Sequence, residues 1–266
     1  MARDIARGQY ILRLGGCTSC HTNSEAKGKF LAGGRVLKTP FGTFHVPNIT
    51  PDPDTGIGNW SDADFIRAMT EGIGRDGKNL YPAFPFTSYT RMTRADLLDL
   101  KAYLDTVKPV RNVVPPHELS FPYNLRSLLG IWKILFFRPG SFSTAANKEE
   151  SWNRGAYIVT GPGHCGECHT SRNFLGATIE DHALAGTKDG PLGKSVPNIT
   201  PHAKQGIGLW SVDDITEYLK TGNSPFGDQA DDPMDEVINN GTSYLTDSDL
   251  RSIAEYLLSL PPQTTP

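Results

Sequence analysis

Two short stretches, "GGCTSCHTNS" at residues 15–24 and "GHCGECHTSR" at residues 163–172, hold all four cysteines of the chain. Each stretch contains the pattern C-x-x-C-H, formed by Cys17, Cys20 and His21 in the first copy and by Cys165, Cys168 and His169 in the second. An interpretation of the cysteines therefore has to explain the histidine that follows each pair.

Four cysteines are compatible with disulfides, a zinc site, a thiol redox pair or haem attachment. Disulfide frameworks belong mainly to small secreted domains with poor cores, and a chain of 266 residues does not need one. A four-cysteine zinc site has no use for a histidine after each pair. A thioredoxin-like site needs one pair, near a βαβ pattern. None of these three explains the repeated histidine.

Haem attachment explains every residue of the motif. Two thiols add across the porphyrin vinyl groups, and the spacer on a helical turn sets the sulfur atoms at the vinyl separation. The following histidine then lies under the iron as the proximal ligand. We therefore predict two covalently attached haem c groups, with Cys17, Cys20, Cys165 and Cys168 as anchors and His21 and His169 as iron ligands.

Composition excludes several classes of protein. The formal net charge is −3 and the pI is about 6.2, which argues against binding to nucleic acid. The longest apolar patch, "LLGIWKILFF" at 128–137, is interrupted by Lys133 and is too short to span a bilayer. The start, "MARDIARGQY", lacks the apolar core of a signal peptide. We expect either a cytosolic protein or a leader that this sequence does not include.

The segments around the two motifs match in the same order, so the chain is a tandem duplication. "VPNITPDPDTGIGNW" matches "VPNITPHAKQGIGLW", and "MTRADLLDLKAYLDTV" matches "LTDSDLRSIAEYLLSL". We predict one haem domain at residues 1–107, a linker at 108–150 and a second haem domain at 151–266.

Each copy is predicted to be helical. Helices begin near Asp4 and Trp152, and others follow Ser61 and Ser211, which are N-cap candidates. The last helix of each copy has apolar residues at helical spacing, and the intervening loops are rich in Gly and Pro with almost no strand-like alternation. The predicted fold class is all-α.

The linker surrounds its apolar patch with prolines. We interpret it as a strap packed between the domains, because Trp132 and Phe136 lie one helical turn apart. If the patch is exposed instead, it is a docking face for a dehydrogenase or a membrane surface.

These residues resemble the class I c-type cytochromes, and more closely the multi-haem cytochrome subunits of periplasmic dehydrogenases that act on alcohols, sugars, sugar acids or aldehydes. The resemblance covers almost the whole chain. It depends on "GGCTSCHT", "GHCGECHTSRNFLGA", the twin "PNITP" and "GIG" segments, "LYPAFPFTSY" and the linker "LSFPYNLRSLLGIWKILFFRPGSF".

The resemblance implies roles for matched residues. Gly8 and Gly155 mark the place where the first helix packs on the last, opposite Tyr103 and Tyr256. The haem propionates receive hydrogen bonds from residues in the twin segments: Asn48, Trp60, Asn198 and Trp210. The alternative is an Asx turn for the asparagines and core filling for the tryptophans.

The sixth iron ligand decides whether a haem carries electrons or does chemistry. The resemblance implies Met234 for the second haem, since it lies in the loop before the last helix. For the first haem many relatives have methionine where this chain has Phe84, and our preferred ligand is Met92. The alternatives are Met69, His45 or no ligand.

The expected function is that of a dihaem electron carrier, not an enzyme. The resemblance implies a periplasmic location, a dehydrogenase catalytic subunit as electron donor, and a soluble cytochrome or terminal oxidase as acceptor; it leaves open a peripheral association with the membrane. The rival from another class is a dihaem peroxidase with an open haem in the first domain. A sulfur-oxidising dihaem dehydrogenase needs a cysteine on iron, and all four cysteines are committed as anchors.

Overall fold

The computed structural model describes residues 3–190 and 193–266, and the chain divides into two compact units. Unit 1 is Met1–Ser141 and unit 2 is Phe142–Pro266. Residues 108–141 of the predicted linker thus belong with unit 1. The predicted domain limits at 107 and 151 stay predictions.

Both units are mostly helical. Unit 1 contains α1 (Ile5–Leu14), α2 (Cys17–His21), β1 (Val36–Thr39), β2 (Gly42–His45), α3 (Asp62–Glu71), α4 (Phe86–Tyr89), α5 (Arg94–Thr106), β3 (Glu118–Leu119) and α6 (Leu128–Phe136). Unit 2 contains α7 (Glu150–Thr160), α8 (Gly166–His169), a 3₁₀ turn (Glu180–His182), α9 (Val212–Thr221), α10 (Met234–Asn240), a 3₁₀ turn (Thr242–Tyr244) and α11 (Asp247–Leu258).

The prediction of an all-α fold is wrong for one part of unit 1. Strands β1, β2 and β3 form an antiparallel sheet in that order. The strands have four, four and two residues, too few for an alternating pattern to stand out. The third strand comes from the linker, so the pairing is not local in sequence. Phe44 of β2 and Leu129 of α6 pack in one small core below this sheet.

The first and last long helices of each unit cross closely at a glycine, as predicted. A Cβ atom on Gly8 of α1 would lie 2.0 Å from the carbonyl oxygen of Asp99 in α5. A Cβ atom on Gly155 of α7 would lie 1.9 Å from the carbonyl oxygen of Ser252 in α11. Only glycine permits these backbone distances.

The middle helix of each unit begins at a predicted N-cap. The Ser61 hydroxyl accepts a hydrogen bond from the amide of Asp64, whose carboxylate accepts one from the amide of Ser61. Ser211 and Asp214 form the same capping box before α9. Both N-cap predictions are confirmed, and the matching caps fix where the two helices start.

The linker helix α6 packs against unit 1 along one side. The Lys133 ammonium donates hydrogen bonds to the carbonyl oxygens of Glu71 and Gly72 at the end of α3, each at 2.7 Å. The Trp132 ring lies 6.5 Å from that of Phe86, edge to face. On the opposite side Ile134 is 77% exposed. No helix among the described residues is both long enough and apolar enough to cross a membrane.

Candidate haem sites

The first C-x-x-C-H motif forms the short helix α2, directly after α1. Gly16 between the helices has φ of 59°, in the left-handed region that glycine adopts without strain. One helical turn separates Cys17 from Cys20, so the two thiols share a face of α2. His21 ends the helix. The short helix therefore brings Cys17, Cys20 and His21 close together.

The second motif has a similar local structure. Cys165 is the N-cap of α8, which ends at His169. The amide of His169 donates to the carbonyl oxygen of Cys165 at 3.0 Å, closing one helical turn around the motif. The helix α8 follows α7 in the chain, as α2 follows α1.

Each motif histidine is oriented by a proline carbonyl. The Nδ1 atom of His21 lies 2.8 Å from the Pro47 carbonyl oxygen, and that of His169 lies 2.8 Å from the Pro197 oxygen. Because a carbonyl only accepts hydrogen bonds, each Nδ1 carries the proton and each Nε2 keeps its lone pair. This is the tautomer that binds a metal through Nε2.

Burial lowers the pKa of both histidines. The pKa of His21 falls to about 4 because burial disfavours the charged ring, and the Pro47 carbonyl opposes this only in part. The pKa of His169 is lowered for the same reason. Both rings are therefore neutral at neutral pH, as an iron ligand must be.

The four cysteines form no disulfides, and burial makes the first cysteine of each pair hard to deprotonate. Burial, and then the neighbouring cysteine, raises the pKa of Cys17 and of Cys165 to about 12. A thiol redox centre needs a thiolate of low pKa. Across residues 3–190 and 193–266, no group of three or more His, Cys, Asp or Glu is arranged to hold a metal ion. The site does not fit thiol redox chemistry or zinc.

The donor set fits haem c. Each motif offers two thiols on one helical turn and one neutral imidazole with a free Nε2, which are the groups that a covalently attached porphyrin and its iron require. Sequence reasoning missed the orienting carbonyls of Pro47 and Pro197. The available signal was the repeated "VPNIT" segment, which contains both prolines.

The Asn48 side chain makes hydrogen bonds to its own loop and to the segment after α5. Its amide donates to the Thr55 hydroxyl at 3.0 Å and to the Val110 carbonyl at 2.7 Å, and its oxygen accepts from the amide and hydroxyl of Thr50. Both amide hydrogens thus have acceptors within the chain. The contacts match the alternative, a buried turn, and they tie the segment after α5 to the loop before α3.

Asn198 makes a similar set of contacts in unit 2. Its amide donates to the Gln263 carbonyl at 2.7 Å, and its oxygen accepts from the amide and hydroxyl of Thr200. Asn198 therefore ties the segment after α11 to the loop before α9. Each asparagine stabilises the chain near the helix that ends its unit.

The two tryptophans remain available as donors. Neither the Trp60 nor the Trp210 indole N–H donates a hydrogen bond to a described residue. Trp60 lines a cavity of about 580 Å³ with Asp64, Arg75 and other residues. The Trp210 ring packs edge to face against Tyr218 at 5.4 Å. The propionate prediction is thus compatible with the surroundings of both indoles.

The two predicted methionine ligands lie in different surroundings. Met234 is half-buried and is the first residue of α10. Met92 is 2% exposed, directly before the N-cap of α5, and its amide donates to the Tyr89 carbonyl at 3.0 Å. It borders a cavity with residues of α3, α5 and the 139–141 segment. No residue of the haem motif borders that cavity.

A fold of helices that presents two thiols and an oriented imidazole at one turn defines a c-type cytochrome. Comparison with known proteins agrees. The family model described as "Cytochrome c" matches residues 5–108. The chain is 45% identical over 262 residues to the "Diheme cytochrome c-type" of Cereibacter sphaeroides, covering 97% of this chain and 86% of the relative.

Two further relatives are subunits of dehydrogenases. The chain is 43% identical to the fructose dehydrogenase cytochrome subunit of Gluconobacter japonicus, and 42% identical to the cytochrome c subunit of alcohol dehydrogenase (quinone) of Gluconacetobacter polyoxogenes. Each alignment covers 97% of this chain but only 52% and 56% of the respective relative. The chain belongs to the cytochrome c family, and it is an electron-transfer protein with covalently bound haem c, not a catalytic subunit.

Proposed function

We propose that the chain is a dihaem cytochrome c that accepts electrons from a periplasmic dehydrogenase and passes them to a soluble cytochrome or a terminal oxidase. The observation that carries the proposal is the repeated geometry at the two motifs, where each histidine donates from Nδ1 to a proline carbonyl at 2.8 Å. The Cereibacter relative is a dihaem cytochrome by name, which supports a count of two haems.

Each haem would be held by its own unit. In unit 1 the thiols of Cys17 and Cys20 would anchor the porphyrin and His21 would bind the iron. In unit 2 the same roles would fall to the matching residues: Cys165, Cys168 and His169. When bound, haem supplies the one-electron chemistry, and the protein orients the imidazoles and excludes water.

The donor is proposed from the relatives. Those named here serve fructose and alcohol dehydrogenases, and another, from Pantoea cypripedii, is a gluconate 2-dehydrogenase cytochrome c subunit. These names support a dehydrogenase of a small alcohol, sugar or sugar acid as donor. The periplasmic location is proposed because c-type haem is attached outside the cytoplasm in bacteria. The peroxidase alternative receives no support from these names.

The test begins with the haem content of the full chain, produced with a periplasmic leader in a bacterium that matures c-type cytochromes. We expect two haem c groups per chain by the pyridine haemochrome assay, and one in the Cys17→Ser, Cys20→Ser double variant. The second step is stopped-flow reduction by a purified alcohol dehydrogenase (quinone) catalytic subunit with ethanol, followed by mixing with oxidised soluble cytochrome c. A chain that binds no haem, or that stays oxidised with every such dehydrogenase tried, contradicts the proposal.

A further inference from the structure

The loop after the middle helix has the same hydrogen-bonded frame in both units. The amide of Leu80 donates to the Gly72 carbonyl at 2.7 Å, and the amide of Ala230 donates to the Gly222 carbonyl at 2.8 Å. A second amide-to-carbonyl bond of 2.8 Å lies inside each loop. Leu80 and Ala230 are 150 positions apart, as are the two copies of "VPNIT". The two units are therefore in register up to this point.

The same register pairs Phe84 with Met234, four residues further along. The extra residues of unit 2 come later, because α10 has seven residues where α4 has four. The position that carries a thioether in unit 2 thus carries a phenyl ring in unit 1.

Phe84 packs on Tyr89, which is hydrogen-bonded to the backbone just before the first motif. Its ring is 5.6 Å from the Tyr89 ring, edge to face. The Tyr89 hydroxyl donates to the Gly15 carbonyl at 2.9 Å. A Cβ atom on Gly15 would lie 3.5 Å from the Cys17 sulfur. Phe84 is therefore linked through Tyr89 to Gly15, two residues before the predicted haem anchor Cys17.

Met92 occupies a place that is filled by an aliphatic side chain in unit 2. It directly precedes the N-cap Thr93, and Leu245 directly precedes the N-cap Thr246. Met92 is 2% exposed and Leu245 is 1% exposed. Because leucine cannot bind iron, the shared burial indicates that this position packs the core under the last helix.

Met69 and His45, the two other candidate iron ligands of unit 1, lie in places that favour other roles. Met69 is buried in α3, at the position of Leu219 in α9. The His45 Nε2 atom lies 3.4 Å from a carboxylate oxygen of Glu118 in β3, an ion-pair distance without a hydrogen bond. His45 is two residues from Pro47, whose carbonyl accepts a hydrogen bond from the His21 imidazole.

We propose that Phe84 leaves the first haem without a sulfur ligand, so that its iron has an exchangeable sixth position for small ligands such as carbon monoxide, while Met234 closes the second haem. The proposal rests on the proposed function, since it requires two haems. A phenyl ring has no lone pair for iron, and it shields the open position with an apolar surface.

The test uses the full chain with both haems, after the haem count has been measured. Wild type is compared with Phe84→Met, which restores the unit 2 residue, and with the matched control Met92→Leu, which copies Leu245. Two signals are measured: carbon monoxide bound per chain in the reduced protein, and the weak far-red charge-transfer band of sulfur-ligated ferric haem.

We expect wild type to bind one carbon monoxide per chain and Met92→Leu to behave the same. Phe84→Met is expected to bind none and to double the far-red band. The proposal is overturned if wild type binds no carbon monoxide, or if Met92→Leu halves the band. If Phe84→Met does not fold, the comparison of wild type with Met92→Leu still decides. A chain with fewer than two haems counts against the proposed function instead.

Discussion

At the scale of single residues, the sequence predicts the residues of the haem motif better than it predicts the roles of the residues around it. The cysteines and histidines follow from C-x-x-C-H because the spacing itself encodes the geometry. The role of Asn48 stays a prediction: its repetition as Asn198 suggests a shared haem contact, and the structure adds the partners Thr50, Thr55 and Val110, which the sequence did not indicate. A residue that is repeated in both units indicates a shared local structure, but it does not by itself indicate a role at the haem.

Asn48→Ala tests the structural role of this side chain. The substitution removes two donated hydrogen bonds and leaves the Val110 carbonyl without this partner. We expect the free energy of unfolding to fall by about 1–3 kcal/mol, measured by thermal denaturation. The pH dependence of the first haem's midpoint potential is expected to stay as in wild type. A changed pH dependence would instead support a hydrogen bond from Asn48 to a haem propionate.

Trp60→Phe is the matching test of a propionate donor. The variant keeps an aromatic ring but loses the indole N–H, which no described residue accepts. If that N–H serves a propionate, its loss raises the propionate pKa, because the charged form loses a hydrogen bond. The pH at which the midpoint potential of the first haem changes should therefore move upward, as followed by spectroelectrochemistry from pH 5 to 9. An unmoved profile would leave Trp60 as core filling.

At the scale of elements, local signals predicted the helices and their caps, and missed pairings between distant segments. Ser61 and Ser211 precede acidic residues, and each capping box formed where this pattern stands. Strand β3 pairs with β2 from more than seventy residues further along. A two-residue strand has no pattern of its own, so only the tertiary structure shows it.

Gly8→Ala tests the close crossing of α1 and α5. The new methyl group would meet the Asp99 carbonyl oxygen at 2.0 Å, so the helices must separate. We expect a loss of about 3 kcal/mol or more in the free energy of unfolding, measured by denaturant titration. Gly155→Ala should cost a similar amount in unit 2.

Gly130→Ala is the control for this comparison. It lies in α6, and its new Cβ would have as nearest neighbour the Asn79 side chain at 3.9 Å. Alanine is favoured over glycine in a helix by about 0.5–1 kcal/mol, so this variant should be slightly more stable. If Gly8→Ala and Gly130→Ala lost equal free energy of unfolding, the close crossing of α1 and α5 would be excluded as the cause.

Asp64→Asn tests the capping box through its pH dependence. The Ser61 hydroxyl and then the Ser61 amide hold the pKa of Asp64 below its usual value. A lowered carboxyl pKa stabilises the fold fully above the ordinary pKa, and this contribution is lost as pH falls through the lowered pKa. Below about pH 4 the wild-type melting temperature should therefore fall more steeply than that of Asp64→Asn. Asp214→Asn should flatten the curve in the same way, and parallel curves would contradict the assignment.

At the scale of the whole molecule, both the duplication and one difference between its halves, at Phe84, were visible in the sequence. The motifs, the twin "VPNIT" segments and the last helices repeat closely, which predicts two similar sites. The hydrogen-bonded loops place Phe84 and Met234 in register, which is the basis for our proposal that the two sites differ there. The sequence favoured Met92 as a ligand, and this prediction and the proposal are distinguished by the Met92→Leu variant.

This difference between the halves predicts the order of the two potentials. A thioether on iron raises the reduction potential, so the second haem should be reduced first in a potentiometric titration, with the first haem following in a separate, lower step. Phe84→Met should raise the lower step towards the upper one, and Met234→Phe should lower the upper step towards the lower one. The measurement is an optical redox titration of the three proteins at one pH. A single step in wild type, or a Phe84→Met variant whose two steps stay where they were, would contradict the assignment.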